Sequence, residues 1–162
     1  MSLVHKIISK LPHQTAYAHC DIPCGIYDPT PAQMAAQTVL RMTQMLEEAD
    51  RDKLGEKKYL MHISRVTHVK EEHAHGVEDE LGTLENDYFK PEHFEKYPEL
   101  KELIEKTVKL SVKCRQEIDA KLALEMLENT RLIAEIFYKT KNFVPVRIDS
   151  GYPTGEQIVS HK

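Results

Sequence analysis

The run Leu122-Ala123-Leu124-Glu125-Met126-Leu127-Glu128-Asn129-Thr130-Arg131-Leu132-Ile133-Ala134-Glu135-Ile136-Phe137 repeats its apolar residues at helical and not at strand spacing. Leu122, Ala123, Met126, Leu127, Thr130, Ile133, Ala134 and Phe137 follow one another at intervals of one and three, a single stripe on a helix that ends near Lys141. Upstream, Leu100, Leu103, Ile104, Thr107, Leu110, Ser111 and Cys114 form a second stripe. Farther back, Glu56 to about Leu81 or beyond predicts a helix with Tyr59, Leu60, Ile63, Val66 and Val69 as its apolar face, weakened distally by Gly76 and Gly82. Thr30-Pro31-Ala32-Gln33 supplies an N-cap, a proline at the first helical position and a glutamine to close a capping box. A helix therefore starts there and runs through Met34, Val39, Met42, Met45, Leu46 and Ala49 to about Asp52, before Gly55. Pro91 and Pro98 bracket a short aromatic connection, Asp87 to Tyr97. Four amphipathic helices with short connections bury their stripes against one another, so the predicted fold is all-α, an antiparallel four-helix bundle. Val144 to Ile148 alternates but has no evident strand partner, and residues 144–162, with Pro145, Gly151, Pro153 and Gly155, read as an extended C-terminal tail.

A length of 162 residues suits one such domain. Lys plus Arg number 22 against 26 Asp plus Glu, net charge -4, without the basic excess that nucleic-acid binding requires. Charges interrupt every apolar run well short of the roughly 20 residues that span a bilayer, so no membrane partner is expected. Three cysteines make no even disulfide framework, which favours metal or thiol chemistry in a reducing, cytoplasmic setting. Residues 1–18 stand apart in composition: Lys6, Lys10, His5 and His13 occur with no acid, the first carboxylate being Asp21. Ala16-Tyr17-Ala18 has the small-x-small form of a processing site, but no continuous apolar run makes the segment a secretory signal.

The chemistry concentrates in His19-Cys20-Asp21-Ile22-Pro23-Cys24-Gly25-Ile26-Tyr27-Asp28, ahead of the first helix. Thiolates are soft ligands and imidazole is borderline, a set suited to a late first-row metal and not to calcium or magnesium. Pro23 restricts the loop between the sulfurs and Gly25 lets the chain turn after the second. No fourth ligand stands at finger-like spacing for a tetrahedral zinc. On spacing alone, a metal site and a local disulfide both remain open.

The whole ten-residue string resembles the N-terminal metal hook of the nickel-dependent superoxide dismutases, whose mature chains begin His-Cys-Asp-x-Pro-Cys-Gly-x-Tyr-Asp. A second block, Asp87-Tyr88-Phe89-Lys90-Pro91 followed by His93-Phe94-Glu95-Lys96-Tyr97-Pro98-Glu99-Leu100, is similar to that family in the same order. The resemblance covers about residues 19–143. It implies a superoxide dismutase that converts superoxide to oxygen and hydrogen peroxide by Ni(II)/Ni(III) cycling, with one nickel per subunit. The implied ligands are the amine and ring of His19, the amide nitrogen and sulfur of Cys20, and the sulfur of Cys24. A planar set of two nitrogens and two sulfurs suits Ni(II), and anionic donors stabilise Ni(III).

The resemblance further implies that residues 1–18 are a leader removed on maturation, because the nitrogen of His19 is a peptide amide while Ala18 is attached. A maturation protease is thus an implied partner. By the same resemblance Tyr27 stands above the open face of the metal, and Tyr88, in the matching second block, hydrogen-bonds Tyr27; Asp21, by its place inside the hook, is expected to hold the hook backbone, and Lys90, by its charge, to attract the anionic substrate. The family forms hexamers whose neighbours cover the hooks, so a homohexamer is expected. The chain departs from the family where a Glu and an Arg hold the axial imidazole, since Ala35 and His73 stand there. His62, His68, His73 and His75, with Glu72-x-x-His75 in di-iron spacing, invite a second metal site, but no second such motif accompanies them. Cys114 lies on an apolar stripe and is expected in the core. The competing function is a non-catalytic metal carrier or a thiol redox switch using Cys20 and Cys24.

Overall fold

A computed structural model of the chain describes residues 24–162. Four long helices carry the fold: α1 (Thr30–Glu47), α3 (Glu56–Thr83), α5 (Glu99–Gln116) and α6 (Ala120–Thr140). Short helices α2 (Arg51–Leu54) and α4 (Pro91–Lys96) lie in the connections, and a π-helical turn, Leu84–Tyr88, extends α3. Helix α1 packs on α3 and α6, and α5 packs on the same two, so the contacts close into a ring of four. The predicted antiparallel four-helix bundle is the observed fold. Its core is filled by Ala36 and Val39 of α1, Val77 and Leu81 of α3, Leu100 and Ile104 of α5, and Met126, Leu127, Ile133 and Phe137 of α6. Among the described residues no helix is long and apolar enough to cross a membrane.

Local chemistry sets the helix ends. The Asp119 carboxylate accepts the Lys121 and Leu122 amides at 2.8 and 3.4 Å and opens α6. Asp50 does the same for Asp52 and Lys53 at 3.0 and 3.1 Å, so the first helix stops at Glu47 instead of running on to Asp52. Gly55, at φ 74°, turns the chain from α2 into α3. At the start of α1 the expected Thr30 cap and Gln33 capping box do not form. The Asp28 carboxylate accepts the Thr30 amide at 2.7 Å, and Gln33 is wholly buried elsewhere.

Helix α3 departs from its predicted face. Val66, Lys70, Ala74, Val77 and Leu81 form the buried line, whereas Leu60 is 56% and Met61 62% exposed. The first turns of α3 thus stand proud of the bundle. The C-terminal segment also differs from an extended tail: β1 (Pro145–Asp149) and β2 (Gln157–His161) form an antiparallel hairpin with Arg147 opposite Val159. The hairpin packs on α6, and Val159 joins the core. The missing partner of residues 144–148 was masked by the loop residues Tyr152 to Glu156, whose Pro153 and Gly155 read as tail.

Candidate metal centre

Residues 24–28 enter the bundle just ahead of α1. Cys24 is exposed and its sulfur accepts the Ile26 amide at 3.4 Å. Gly25 follows at φ 72°, a left-handed turn that a side chain would strain. Tyr27, half-buried, then lays its ring 5.6 Å from that of Tyr88, tilted by 50°. His19, Cys20 and Asp21, the other predicted members of the site, lie outside the described residues.

Tyr88 is the hub of this end of the bundle. Its ring lies 4.5 Å from Phe137, 5.2 Å from Phe89 and 5.8 Å from His93. Sequence reading paired its hydroxyl with Tyr27; in the structure that hydroxyl meets Thr140 Oγ1 at 2.7 Å, and its link to Tyr27 is ring against ring. Thr140 donates its own proton to the Phe137 carbonyl at 2.6 Å, so the Tyr88 hydroxyl is the donor in the pair. Burial pushes the Tyr88 phenol above its ordinary value, with the Thr140 bond acting the other way. Tyr88 therefore keeps its proton at neutral pH and acts as a wedge behind Tyr27.

Sequence reading missed Lys141. Its ammonium donates to the Tyr27 carbonyl at 3.2 Å and sits 4.6 Å from the Phe137 ring centre and 5.5 Å from that of Tyr88. One cation thus holds the backbone of the Cys24–Asp28 segment to the end of α6. A lysine in the last turn of a helix reads in sequence as a complement to the helix dipole, which hid this second task. Lys90 is exposed at the N-cap of α4, its ammonium donating to the Asp87 carbonyl at 3.2 Å.

The other candidates separate. Ala35 is buried where α1 faces Gly76. His73 donates from Nδ1 to the Val69 carbonyl at 2.9 Å, one turn back on its own helix. His75 lies against Arg115 and Glu78 at 2.7 and 3.7 Å, and His68 against Glu72 at 3.6 Å. Among the described residues no three His, Cys, Asp or Glu side chains gather as a metal site, those at the di-iron spacing included. Cys114 is in the core, its thiol pushed up to about 11 by burial. Cys24, a soft, exposed donor on a segment tied down at Tyr27, is the described residue whose chemistry fits a nickel thiolate site.

Three comparisons bear on this arrangement. A family model described as nickel-containing superoxide dismutase matches residues 14–141. The curated Superoxide dismutase [Ni] of Streptomyces coelicolor is 35% identical over 130 residues, 80% of this chain and 93% of that one. That of Streptomyces seoulensis is 36% identical over 124 residues, 76% of this chain and 88% of that one. A native nickel superoxide dismutase structure superposes with a TM-score of 0.67 at 34% identity, covering 76% of this chain and 99% of the other.

Proposed function

This chain belongs to the nickel-containing superoxide dismutases, and from that membership we propose how its metal centre is built. The protein is a nickel superoxide dismutase with one nickel ion per subunit, converting superoxide to oxygen and hydrogen peroxide. Cleavage before His19 frees an amine. That amine and the His19 ring, the amide nitrogen and thiolate of Cys20, and the thiolate of Cys24 hold the metal. Nickel in this thiolate and nitrogen set supplies one-electron chemistry between Ni(II) and Ni(III).

The chain's own residues do the rest. Asp21 holds the backbone between the two thiolates. Tyr27 faces the substrate and positions the anion or a water for the two protons that each pair of superoxide radicals consumes. Tyr88 backs the Tyr27 ring, and Lys141 fixes the Tyr27 carbonyl. Lys90 and Lys141 add positive charge to the approach of an anion. The subunits assemble as a homohexamer in the cytoplasm. The apolar residues Leu60 and Met61, both more than half exposed on α3, offer one face for a neighbour to cover.

The observation that carries this reading is the exposed Cys24 sulfur at the head of a segment anchored to the bundle by Tyr27 and Lys141. The test is superoxide decay by nickel-loaded protein beginning at His19, beside its Cys24→Ser variant and the unprocessed chain. Rapid decay in the processed wild type alone is expected. No decay despite stoichiometric nickel would move the protein to a carrier or a thiol switch, and equal activity of the unprocessed chain would remove the cleavage step.

A further inference from the structure

The hairpin begins beyond residues 14–141, the part of the chain that matches the family, so its role has to be read from its own contacts. Strand β2 has two edges. Lys162 and Val144 exchange backbone hydrogen bonds at 3.0 and 3.4 Å, which directs the even-numbered residues of β2 toward β1 and the odd-numbered ones away from it.

The outward edge meets α1. The Gln33 amide donates to the Val159 carbonyl at 3.0 Å and its oxygen accepts the Val159 amide at 2.7 Å. One turn on, the Gln37 amide donates to the Gln157 carbonyl at 3.1 Å, and its oxygen accepts the Thr154 hydroxyl at 2.5 Å. Four residues of helix advance about 6 Å and two residues of strand about 6.7 Å, so glutamines at i and i+4 match carbonyls at i and i+2. Both side chains are buried, Gln33 at 0% and Gln37 at 3% exposure. With the hairpin away, this face of α1 would lose every one of those partners.

These glutamines occupy the first two turns of α1, directly behind the metal segment. Asp28 bonds the Thr30 amide and Lys141 bonds the Tyr27 carbonyl, and Cys24 stands three residues before Tyr27. A second strap runs parallel: the His161 ring lies 4.7 Å from that of Tyr138, whose hydroxyl lies against the Thr30 side chain. We propose that the C-terminal hairpin is a positioning element of the metal centre, with Gln33 and Gln37 fixing the first turns of α1 and so the direction in which Cys24 and Tyr27 leave the bundle. The inference rests on Cys24 being a nickel ligand, as proposed above.

The experiment uses the full-length chain beginning at His19, as wild type, Gln37→Met and Gln33→Met/Gln37→Met, since methionine keeps the volume and removes the hydrogen bonds. Amide hydrogen exchange is read on the metal-free protein, and the thiolate-to-nickel absorption and electron paramagnetic resonance spectra on the loaded one. In the double variant the amides of residues 30–37 are expected to exchange about tenfold faster, the equivalent of one or two net hydrogen bonds, while α5 stays unchanged. Gln37→Met gives a smaller effect, and the nickel spectra shift in the same order. Unchanged exchange over residues 30–37, a uniform rise throughout the bundle, or a local rise with identical nickel spectra would each overturn the proposal. If the wild type itself shows no nickel–thiolate band, the ligand assignment fails and with it the link to the metal; an unchanged band beside variant-dependent exchange fails the link alone.

Discussion

Alkaline pH is expected to destabilise this protein through Cys114, the thiol buried in the helix core. Cys114 is 2% exposed, and burial raises its thiol from 9.0 to about 11, the nearby Lys70 ammonium opposing the rise. In the unfolded chain this thiol ionises around 9, whereas the folded protein holds the proton to about 11. Between those values the unfolded state binds fewer protons, so stability is intact below the unfolded value and is lost as pH rises through the folded one. At about 1.36 kcal/mol per unit the loss is about 1.4 kcal/mol at pH 10, approaching about 2.7 kcal/mol beyond pH 11. Half-buried Tyr88 and buried Tyr138, also raised, add to the fall at higher pH, while Lys70, lowered by burial, works against it. The control is therefore Cys114→Ala, compared by urea unfolding of the metal-free protein at about pH 8 and pH 10. The smaller side chain costs about 1 kcal/mol at every pH, so the readout is the change with pH and not the absolute stability. Wild type should lose about 1.4 kcal/mol more than the variant across this interval. Parallel losses in the two proteins would refute the reasoning, because they would show that the buried thiol ionises no later in the folded state than in the unfolded one.

Lys141→Met keeps the aliphatic stem on Phe137 but removes the donor to Tyr27 and the charge over two rings, an expected loss of about 1–2 kcal/mol in urea unfolding. Exchange of the amides at 24–28 should quicken with it; full stability and unchanged exchange would show that the cation does not hold the segment. Glu128 is partly buried, which raises its pKa, but hydrogen bonds from Arg147 and Arg131 outweigh burial and hold the carboxyl below 4.5. Its stabilisation is present above the unfolded value and lost as pH falls through the lower folded one, so Glu128→Gln should flatten the acid limb of a thermal-midpoint profile. The side chain is 39% exposed, so the difference should shrink in high salt, and a salt-independent acid limb shared by both proteins would contradict the pairing.

The bundle was legible because its packing is periodic. The stripes of α5 and α6 name most of the residues that end up buried, and their spacing alone separates helix from strand. The first turns of α3 misled for a physical reason: Leu60 and Met61 are apolar yet more than half exposed, and periodicity does not say what a face packs against. Gln33 shows the opposite limit. Beside Thr30 and Pro31 it has the spacing of a capping residue, but its partner lies 126 positions away on β2, a pairing no local pattern encodes. At the candidate metal centre, Cys24, Tyr27 and Tyr88 were marked by their motifs, whereas Lys141 was not, because a backbone carbonyl as partner leaves no trace in side-chain chemistry.

A two-stranded sheet is ordinarily an invitation to other chains, since its outer strands present unpaired amides and carbonyls to any extended segment that drifts past. Here the outer edge of β2 is occupied by the amides of α1, and β1 begins at Pro145, which has no proton to offer, and carries Arg147 locked between Glu128 and Glu135. A helix has taken the seat of a third strand. The protein thereby fills one edge of its hairpin with a helix and sets on the other a proline and a pinned arginine, two features that hinder copies from zipping together into fibres when it accumulates.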